Sequence, residues 1–155
     1  MNYETITIFV VLPTEMGRIL AIDYGIKRTG LAVSDETQTF AFALDTIPTH
    51  DLHLFLVKYL NENVVDAFVI GEPRNLQNQP TDVTPHIEGF IRRLTKEFPN
   101  HEIYRMDERF TSSMALQSII DSGVKKKDRR DKGLIDKVSA TLILQSWMEQ
   151  RDRRR

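Results

Sequence analysis

Two short apolar runs joined by a tight turn constrain the fold of this chain most. The runs, residues 18–23 (RILAID) and 29–34 (TGLAVS), have the length and composition of β-strands, and five residues separate them. So short a connection predicts an antiparallel pair. Asp23 ends the first run, and a carboxylate at the tip of a buried strand loses hydration. It therefore needs a cation, a metal ion or a hydrogen-bond network as a partner.

The pattern of the remaining chain predicts further strands at residues 40–47, 64–71 and 102–106. Apolar residues at helical spacing predict helices over residues 52–60, 87–94 and 134–149, and a cap followed by Gly123 predicts another over 111–122. The resulting order, βββαβαβαα, predicts an α/β fold. The short turns favour an opening antiparallel meander, and the βαβ units favour parallel strands, so we expect a mixed five-stranded sheet with helices on both faces.

The length of 155 residues fits one domain with its own core, which we assign to residues 16–150. Residues 1–15 fit poorly with the strand pattern that begins after Gly17 and are interpreted as an extension, and residues 151–155 as a basic tail. No cysteine is present, so any metal would be held by oxygen or histidine. No apolar run approaches the roughly 20 residues that span a bilayer, and no signal peptide is evident, so we expect a cytoplasmic protein without a membrane segment.

Basic residues are concentrated late in the chain. The net charge is −1, whereas residues 125–132 carry a local charge of +4 and the tail carries +3. A charge run is most often a solvated loop, but its position directly before the last helix favours phosphate binding, and the asymmetry predicts a polyanionic partner. The candidate nucleic-acid contacts are Lys27, Arg28, Arg74, Arg109, Lys125, Lys126, Lys127, Arg129, Arg130 and Lys132.

Carboxylates follow several of the predicted strands. Asp23 ends the first, Glu72 follows the fourth, and Asp107 and Glu108 end the fifth, while Asp136 lies near the start of the last helix. Because the carboxyl ends of parallel strands meet at one edge of a sheet, these side chains are expected to converge there. Asp107 and Glu108 compete for one role, since side chains alternate along a strand. Unpaired carboxylates in a cluster repel one another, and a hard divalent cation bound through oxygen stabilises such a cluster.

Three ordered blocks resemble the motifs of the YqgF family. Residues 22–35 (IDYGIKRTGLAVSD) resemble its D-x-G-x-(K/R)-x-G-x-A-x-S-D segment, residues 107–112 (DERFTS) its D-E-R-x-(T/S)-(T/S) block, and residues 132–145 its closing K-x-x-x-D-x-x-A-A-x-x-I-L-Q block. The resemblance covers about residues 16–147. The family comprises Holliday-junction resolvase-like proteins, also implicated in maturing the precursor of small-subunit ribosomal RNA.

The resemblance implies an RNase H-like fold in which Asp23, Glu108 and Asp136 are the catalytic carboxylates and bind Mg²⁺ or Mn²⁺. One departure concerns the fourth strand, where the family's G-L-P is replaced by Gly71-Glu72-Pro73. Glu72 is therefore either a fourth metal ligand or an exposed variant.

The hypothesis from sequence is a metal-dependent endonuclease acting on structured nucleic acid. Processing of the 5′ end of precursor 16S ribosomal RNA is favoured over cleavage of a four-way DNA junction, and a monomer or weak homodimer is expected. The alternatives are a non-catalytic module that binds RNA during ribosome assembly and an actin-like ATPase. The ATPase fold needs a second half, for which 155 residues leave no room.

Overall fold

One mixed sheet organises the protein in the computed structural model, which describes residues 15–73, 77, 79–107, 117, 120–123, 125 and 132–155. Its strands are β1 (Arg18–Asp23), β2 (Arg28–Ser34), β3 (Ala41–Pro48), β4 (Val65–Glu72) and β5 (Glu102–Asp107). They lie in the order β3-β2-β1-β4-β5. The β1–β2 and β2–β3 pairs are antiparallel, and the β1–β4 and β4–β5 pairs are parallel. The predicted mixed sheet is confirmed.

Three long helices in the described part of the chain flank the sheet. They are α1 (Leu52–Glu62), which follows a 3₁₀ turn at Thr49–Asp51, then α2 (Thr84–Glu97) and α3 (Lys132–Arg153). The helix predicted over residues 111–122 lies mostly outside the described residues, although Gln117, Ile120 and Asp121 are helical. None of the described helices combines the length and apolar character needed to cross a membrane.

The two faces of the sheet have different cores because side chains alternate along each strand. Leu20, Ile22 and Phe68 belong to the cluster that includes the buried residues of α1 and α2. Ile19, Ala21, Ala32, Ala67 and Val69 form a second cluster with Ala140, Ile143, Leu144 and Met148 of α3. We call the first the α1/α2 face and the second the α3 face. Helices therefore cover both faces, as predicted.

Helix α3 extends beyond the predicted end of its apolar pattern. Arg151, assigned from sequence to the basic tail, lies within this helix. Its Nη1 donates to Oε1 of Gln38 at 2.8 Å, and its Nη2 donates to the Gln38 carbonyl at 2.9 Å. Its guanidinium also lies 5.2 Å from the centre of the Trp147 ring, a cation–π distance. These contacts attach the end of α3 to the β2–β3 connection.

Candidate active site

Helix α3 approaches the sheet closely at Gly30 of β2. A Cβ atom at Gly30 would lie 2.2 Å from the carbonyl oxygen of Asp136 and 3.1 Å from its Cβ. A glycine inside a strand often marks such an approach of another backbone. The start of α3 therefore rests directly on β2, and Asp136 lies above Gly30.

Asp23 lies beside this contact. It is paired with Gly30 across the β1–β2 ladder, and directly opposed residues in an antiparallel pair have Cα atoms about 4.5–5.5 Å apart. Ile19 and Ala21 of the same strand pack into the α3 cluster, so alternation directs Asp23 to the α3 face as well. The sheet and α3 thus bring together two of the predicted catalytic carboxylates, those of Asp23 and Asp136.

A hydrogen bond also ties the first turn of α3 to the sheet. The Oγ1 of Thr46 donates to the carbonyl oxygen of Gly133 at 2.7 Å, and Thr46 is paired with Gly30 across the β2–β3 ladder. Asp23, Gly30 and Thr46 consequently form a row across three strands beneath the start of α3. Sequence reasoning missed the role of Thr46, since an isolated threonine in a strand carries no specific signal.

Arg28 supplies a cation to the site. Its Nε donates to Oδ2 of Asp136, and both side chains are partly exposed. Arg28 is the first residue of β2, and alternation places it on the same face as Gly30. The predicted nucleic-acid contact therefore lies within the carboxylate site, where its charge offsets repulsion between the acids.

The β1–β2 hairpin that carries Lys27 and Arg28 is held in place by Thr49. The backbone N–H of Thr49 donates to the Lys27 carbonyl at 3.0 Å, and its Oγ1 donates to the Gly25 carbonyl at 2.6 Å. A Cβ at Gly25 would lie 2.3 Å from the Arg28 carbonyl oxygen, so the tight turn requires glycine there. Lys27 is exposed next to this anchored segment.

Glu72 and Asp107 end neighbouring strands but belong to the other face. They are paired in the β4–β5 register, and Glu72 follows Phe68 and Ile70 of the α1/α2 cluster at alternate positions. Alternation therefore places both carboxylates on the α1/α2 face. The acidic edge recognised in the sequence is divided between the two sides of the sheet.

Arg105 joins Glu72 to α2 on that opposite face. Its Nη1 lies 2.8 Å from Oε1 of Glu72 and 2.5 Å from Oε1 of Glu88, and its Nη2 donates to the other Glu88 oxygen at 2.9 Å. These bonds raise the pKa of Arg105, and the hydrogen bond from Arg105 lowers the pKa of Glu88. Glu72 thus has a cationic partner on the face opposite α3, and a leucine, the family's usual residue at this position, could not form this ion pair.

Several predicted site residues lie outside the described part of the chain. They are Glu108, Arg74, Arg109, Lys126, Lys127, Arg129 and Arg130. Lys125 and Lys132 are described and exposed. Within the described ranges, no group of three or more His, Cys, Asp or Glu residues is arranged to hold a metal ion. Asp23 and Asp136 nevertheless supply carboxylate oxygens, which are suitable ligands for a hard divalent cation.

Comparison with known proteins identifies a close family match. The model of a family described as RuvX, Holliday junction resolvase, matches residues 17–150. A protein of Christiangramia forsetii is 49% identical over 86% of this chain and 98% of its own length, and one of Flavobacterium johnsoniae is 50% identical over 86% and 96%. Both carry the name "Putative pre-16S rRNA nuclease".

A solved structure supports the fold. The structure described as T. thermophilus RuvC in complex with Holliday junction substrate aligns with a TM-score of 0.54 over 88% of this chain and 96% of that chain. The two are 16% identical, so the likeness bears on architecture alone. It confirms the RNase H-like fold that the motifs indicated.

Proposed function

The chain belongs to the RuvX family of Holliday junction resolvases, and we propose that it is a divalent-metal-dependent endonuclease that processes the 5′ end of precursor 16S ribosomal RNA. This is the family that the motifs of the sequence indicated under the name YqgF. The names of its two relatives support the substrate. The observation that carries the proposal is the position of Asp136 above Gly30, next to Asp23.

We assign the metal ligands to Asp23, Asp136 and Glu108. The first two lie on the α3 face, and Glu108 is assigned by its match to the family's D-E-R block. Alternation supports this choice over Asp107, because Asp107 is paired with Glu72 on the α1/α2 face. Glu72 is left out of the ligand set for the same reason, and its partner is Arg105.

The proposed reaction is in-line hydrolysis of a phosphodiester that leaves a 5′-phosphate and a 3′-hydroxyl. When bound, Mg²⁺ or Mn²⁺ would lower the pKa of water and neutralise charge on the phosphate. Asp23 and Asp136 provide oxygen ligands. The end of β1 fixes the position of Asp23, and the start of α3 fixes that of Asp136. Arg28, held by the hairpin, stabilises Asp136 and presents its guanidinium to the backbone of the substrate.

Exposed lysines of the β1–β2 hairpin, of the start of α3 and of the sequence before it provide the electrostatic attraction for RNA. Lys27 lies on the hairpin next to Arg28, Lys132 begins α3, and Lys125 precedes it. Contacts with phosphates release counterions, so binding is expected to weaken steeply with salt. Arg74, Arg109, Lys126, Lys127, Arg129 and Arg130 are proposed as further contacts from their positions in the sequence.

A four-way DNA junction is the second candidate substrate, favoured by the description of the matching family. A dimer would then be needed, because two strands must be cut, whereas RNA processing requires one active site. A binding module without turnover is the remaining alternative, and its RNA binding would survive loss of the carboxylates.

A cleavage assay tests the proposal. A precursor 16S ribosomal RNA fragment spanning the mature 5′ end and a synthetic four-way junction are incubated with Mg²⁺, with Mn²⁺ or with a chelator. We expect Asp23→Asn to lower the cleavage rate at least about 100-fold, because the contribution of a metal site to the transition state is several kcal/mol.

The matched control is Glu72→Gln, which neutralises a carboxylate at the same edge of the sheet but on the other face. It should keep the rate within about threefold of wild type, since Glu72 lies outside the proposed ligand set. Undiminished cleavage by Asp23→Asn, in protein free of contaminating nuclease, would contradict the assignment. Salt-sensitive RNA binding without cleavage by the wild type would favour the binding module.

A further inference from the structure

A cavity of about 270 Å³ lies beside the β1–β2 hairpin on the α1/α2 face. Tyr24 and Ile26 of the hairpin form one wall, and residues of α1 and α2 form the others. We propose that this hairpin cavity receives one nucleobase of the substrate, displaced from its stack next to the cleaved phosphodiester. The inference rests on the proposed nuclease function and extends it to the recognition of a nucleotide.

The position of the cavity supports this role. Tyr24 directly follows Asp23, and its ring stacks on Phe90 of α2 with a centroid distance of 5.0 Å and an interplanar angle of 26°. Consecutive Cα atoms are 3.8 Å apart, so the cavity wall begins within one residue of the proposed metal ligand. The hairpin therefore carries Arg28 toward the carboxylates and Tyr24 and Ile26 toward the cavity.

The lining has the chemistry that single bases require. Tyr24, Ile26 and Phe90 supply aromatic and apolar surface, while Arg93 and His53 supply polar groups. Sequence-specific proteins commonly stack unpaired RNA bases on aromatic side chains and contact their edges with polar groups. Ligand pockets for larger molecules have volumes of about 300–1,000 Å³, so a cavity of 270 Å³ fits one ring system.

Arg93 supplies a cation to the cavity, whose lining also includes the carboxylate of Glu97. Arg93 is exposed on α2, and Lys27 is exposed next to Ile26. His53 is oriented by Glu97, whose Oε2 lies 2.8 Å from its Nδ1. A guanidinium at the rim can contact the phosphate of the displaced nucleotide while the base occupies the interior.

Binding titrations with modified substrates test the inference. The RNA fragment spanning the mature 5′ end is prepared with a single abasic site at each position around the cleaved bond, and binding is measured with Mg²⁺ in the Asp23→Asn background. One position should show about tenfold weaker binding, which is within the usual range for the loss of one stacked base. In the double variant with His53→Trp, which fills the mouth, the same abasic site should change binding less than twofold.

Charge reversal gives a second, independent readout. Arg93→Glu should weaken binding of the intact RNA about tenfold, whereas Arg92→Glu should weaken it less than threefold. The two arginines are adjacent and exposed on α2, but Arg93 lines the cavity and Arg92 does not. The unfolding temperature of each variant is measured to check that its fold is intact. The same abasic series in a four-way junction shows whether the base comes from DNA instead.

Two results would overturn the inference. One is that each abasic site weakens binding equally in the proteins with and without His53→Trp, and the other is that the Arg93→Glu and Arg92→Glu variants bind the intact RNA with equal affinity. Because the readout is binding, these outcomes are independent of turnover. Continued cleavage of unmodified RNA by the His53→Trp protein with Asp23 retained would then leave the nuclease proposal standing while the cavity proposal fails.

Discussion

The two faces of the sheet differ in the size of the side chains that they present. On the α1/α2 face the strands contribute large residues such as Leu20, Ile22 and Phe68, which pack against two helices. On the α3 face they contribute mainly alanine and the bare backbone of Gly30, and among the described helices α3 packs on them. The small residues allow α3 to approach closely enough for a backbone atom of Asp136 to occupy the space of a missing Cβ.

This difference decides which acids can act together. Both faces carry carboxylates where the strands end, but a strand end alone does not define a site. Asp23 meets an acid from a helix, because α3 lies close on its face. Glu72 meets a guanidinium, because Arg105 of the neighbouring strand projects to the same face. The proposed divalent cation would bind on the α3 side, whereas on the other side Arg105 pairs with Glu72 and Glu88.

The largest effect that separates the faces is expected from Asp136→Asn. Asp136 supplies a carboxylate to the α3 face, so its neutralisation should lower the cleavage rate at least about 100-fold, as expected for a group that contributes several kcal/mol to the transition state. Single-turnover cleavage of the RNA fragment across a range of Mg²⁺ concentrations measures the rate and the metal dependence together.

Asp107→Asn is the matched control for this comparison. It makes the same chemical change at the end of β5, but on the α1/α2 face, and should keep the rate within about threefold of wild type. If Asp107→Asn lost as much activity as Asp136→Asn, the two faces would not differ in function.

A smaller effect is expected from Gly30→Ala, which tests the close approach itself. The added methyl group would meet the Asp136 carbonyl oxygen at 2.2 Å, and the backbone of α3 would have to move. Overpacking of this kind costs about 1–3 kcal/mol of unfolding free energy. A shift of about 1 Å in a catalytic group can cost on the order of 100-fold in rate, so cleavage should fall by up to that factor. Denaturant unfolding and the cleavage assay measure the two quantities.

Gly89→Ala provides the comparison on the opposite face. Gly89 lies in α2, and its nearest neighbour would be the Nη2 atom of Arg92 at 4.0 Å from the new Cβ. Alanine in a helix interior is favoured over glycine by about 0.5–1 kcal/mol, so this variant should be slightly more stable and equally active. Equal behaviour of the two variants would show that α3 does not depend on the bare backbone at Gly30.

The fold could be predicted from sequence because each element has a strong local pattern. Alternating or continuous apolar runs marked the strands, and the short turn after Asp23 predicted the antiparallel start of the sheet that the register confirms. Helix α3 was harder to delimit. Its last turn is polar on the surface and is attached by Arg151 to Gln38, a tertiary contact that leaves no periodic signal.

The site could be predicted only in part. Motif resemblance indicated Asp23 and Asp136, but the division of the acidic edge between two faces depends on strand register and parity, which the sequence constrains only to within a residue. Glu72 illustrates this point. It replaces the leucine of the family's G-L-P motif at the end of a strand, and from the sequence alone it could be taken for an additional metal ligand. Its contact with Arg105 depends on the parallel pairing of β4 with β5, which brings together residues 33 positions apart.

The smallest effect is expected on the α1/α2 face, from Arg105→Gln. The hydrogen bond from Arg105 holds the pKa of Glu88 below its ordinary value of 4.5. A carboxylate with a lowered pKa in the folded state contributes stability above its unfolded pKa, and this contribution is lost as the pH falls through the folded value. Arg105→Gln should therefore lower the unfolding free energy near pH 7, by at most about 1 kcal/mol for so exposed a pair, and the difference from wild type should shrink below pH 4.5.

Thermal unfolding from pH 7 to pH 3 measures that difference. The control is Lys96→Gln, which makes the same change in charge on α2, the helix that carries Glu88. Lys96 lies in the last turn of α2, away from Glu88, so its effect should vary less with pH across this window. Cleavage by Arg105→Gln should stay within about twofold of wild type, because the ion pairs of Glu72 and Glu88 lie on the face opposite Asp23. A large loss of activity with little loss of stability would instead mean that the Arg105 network positions the end of β5 for catalysis, and the functional separation of the two faces would be wrong.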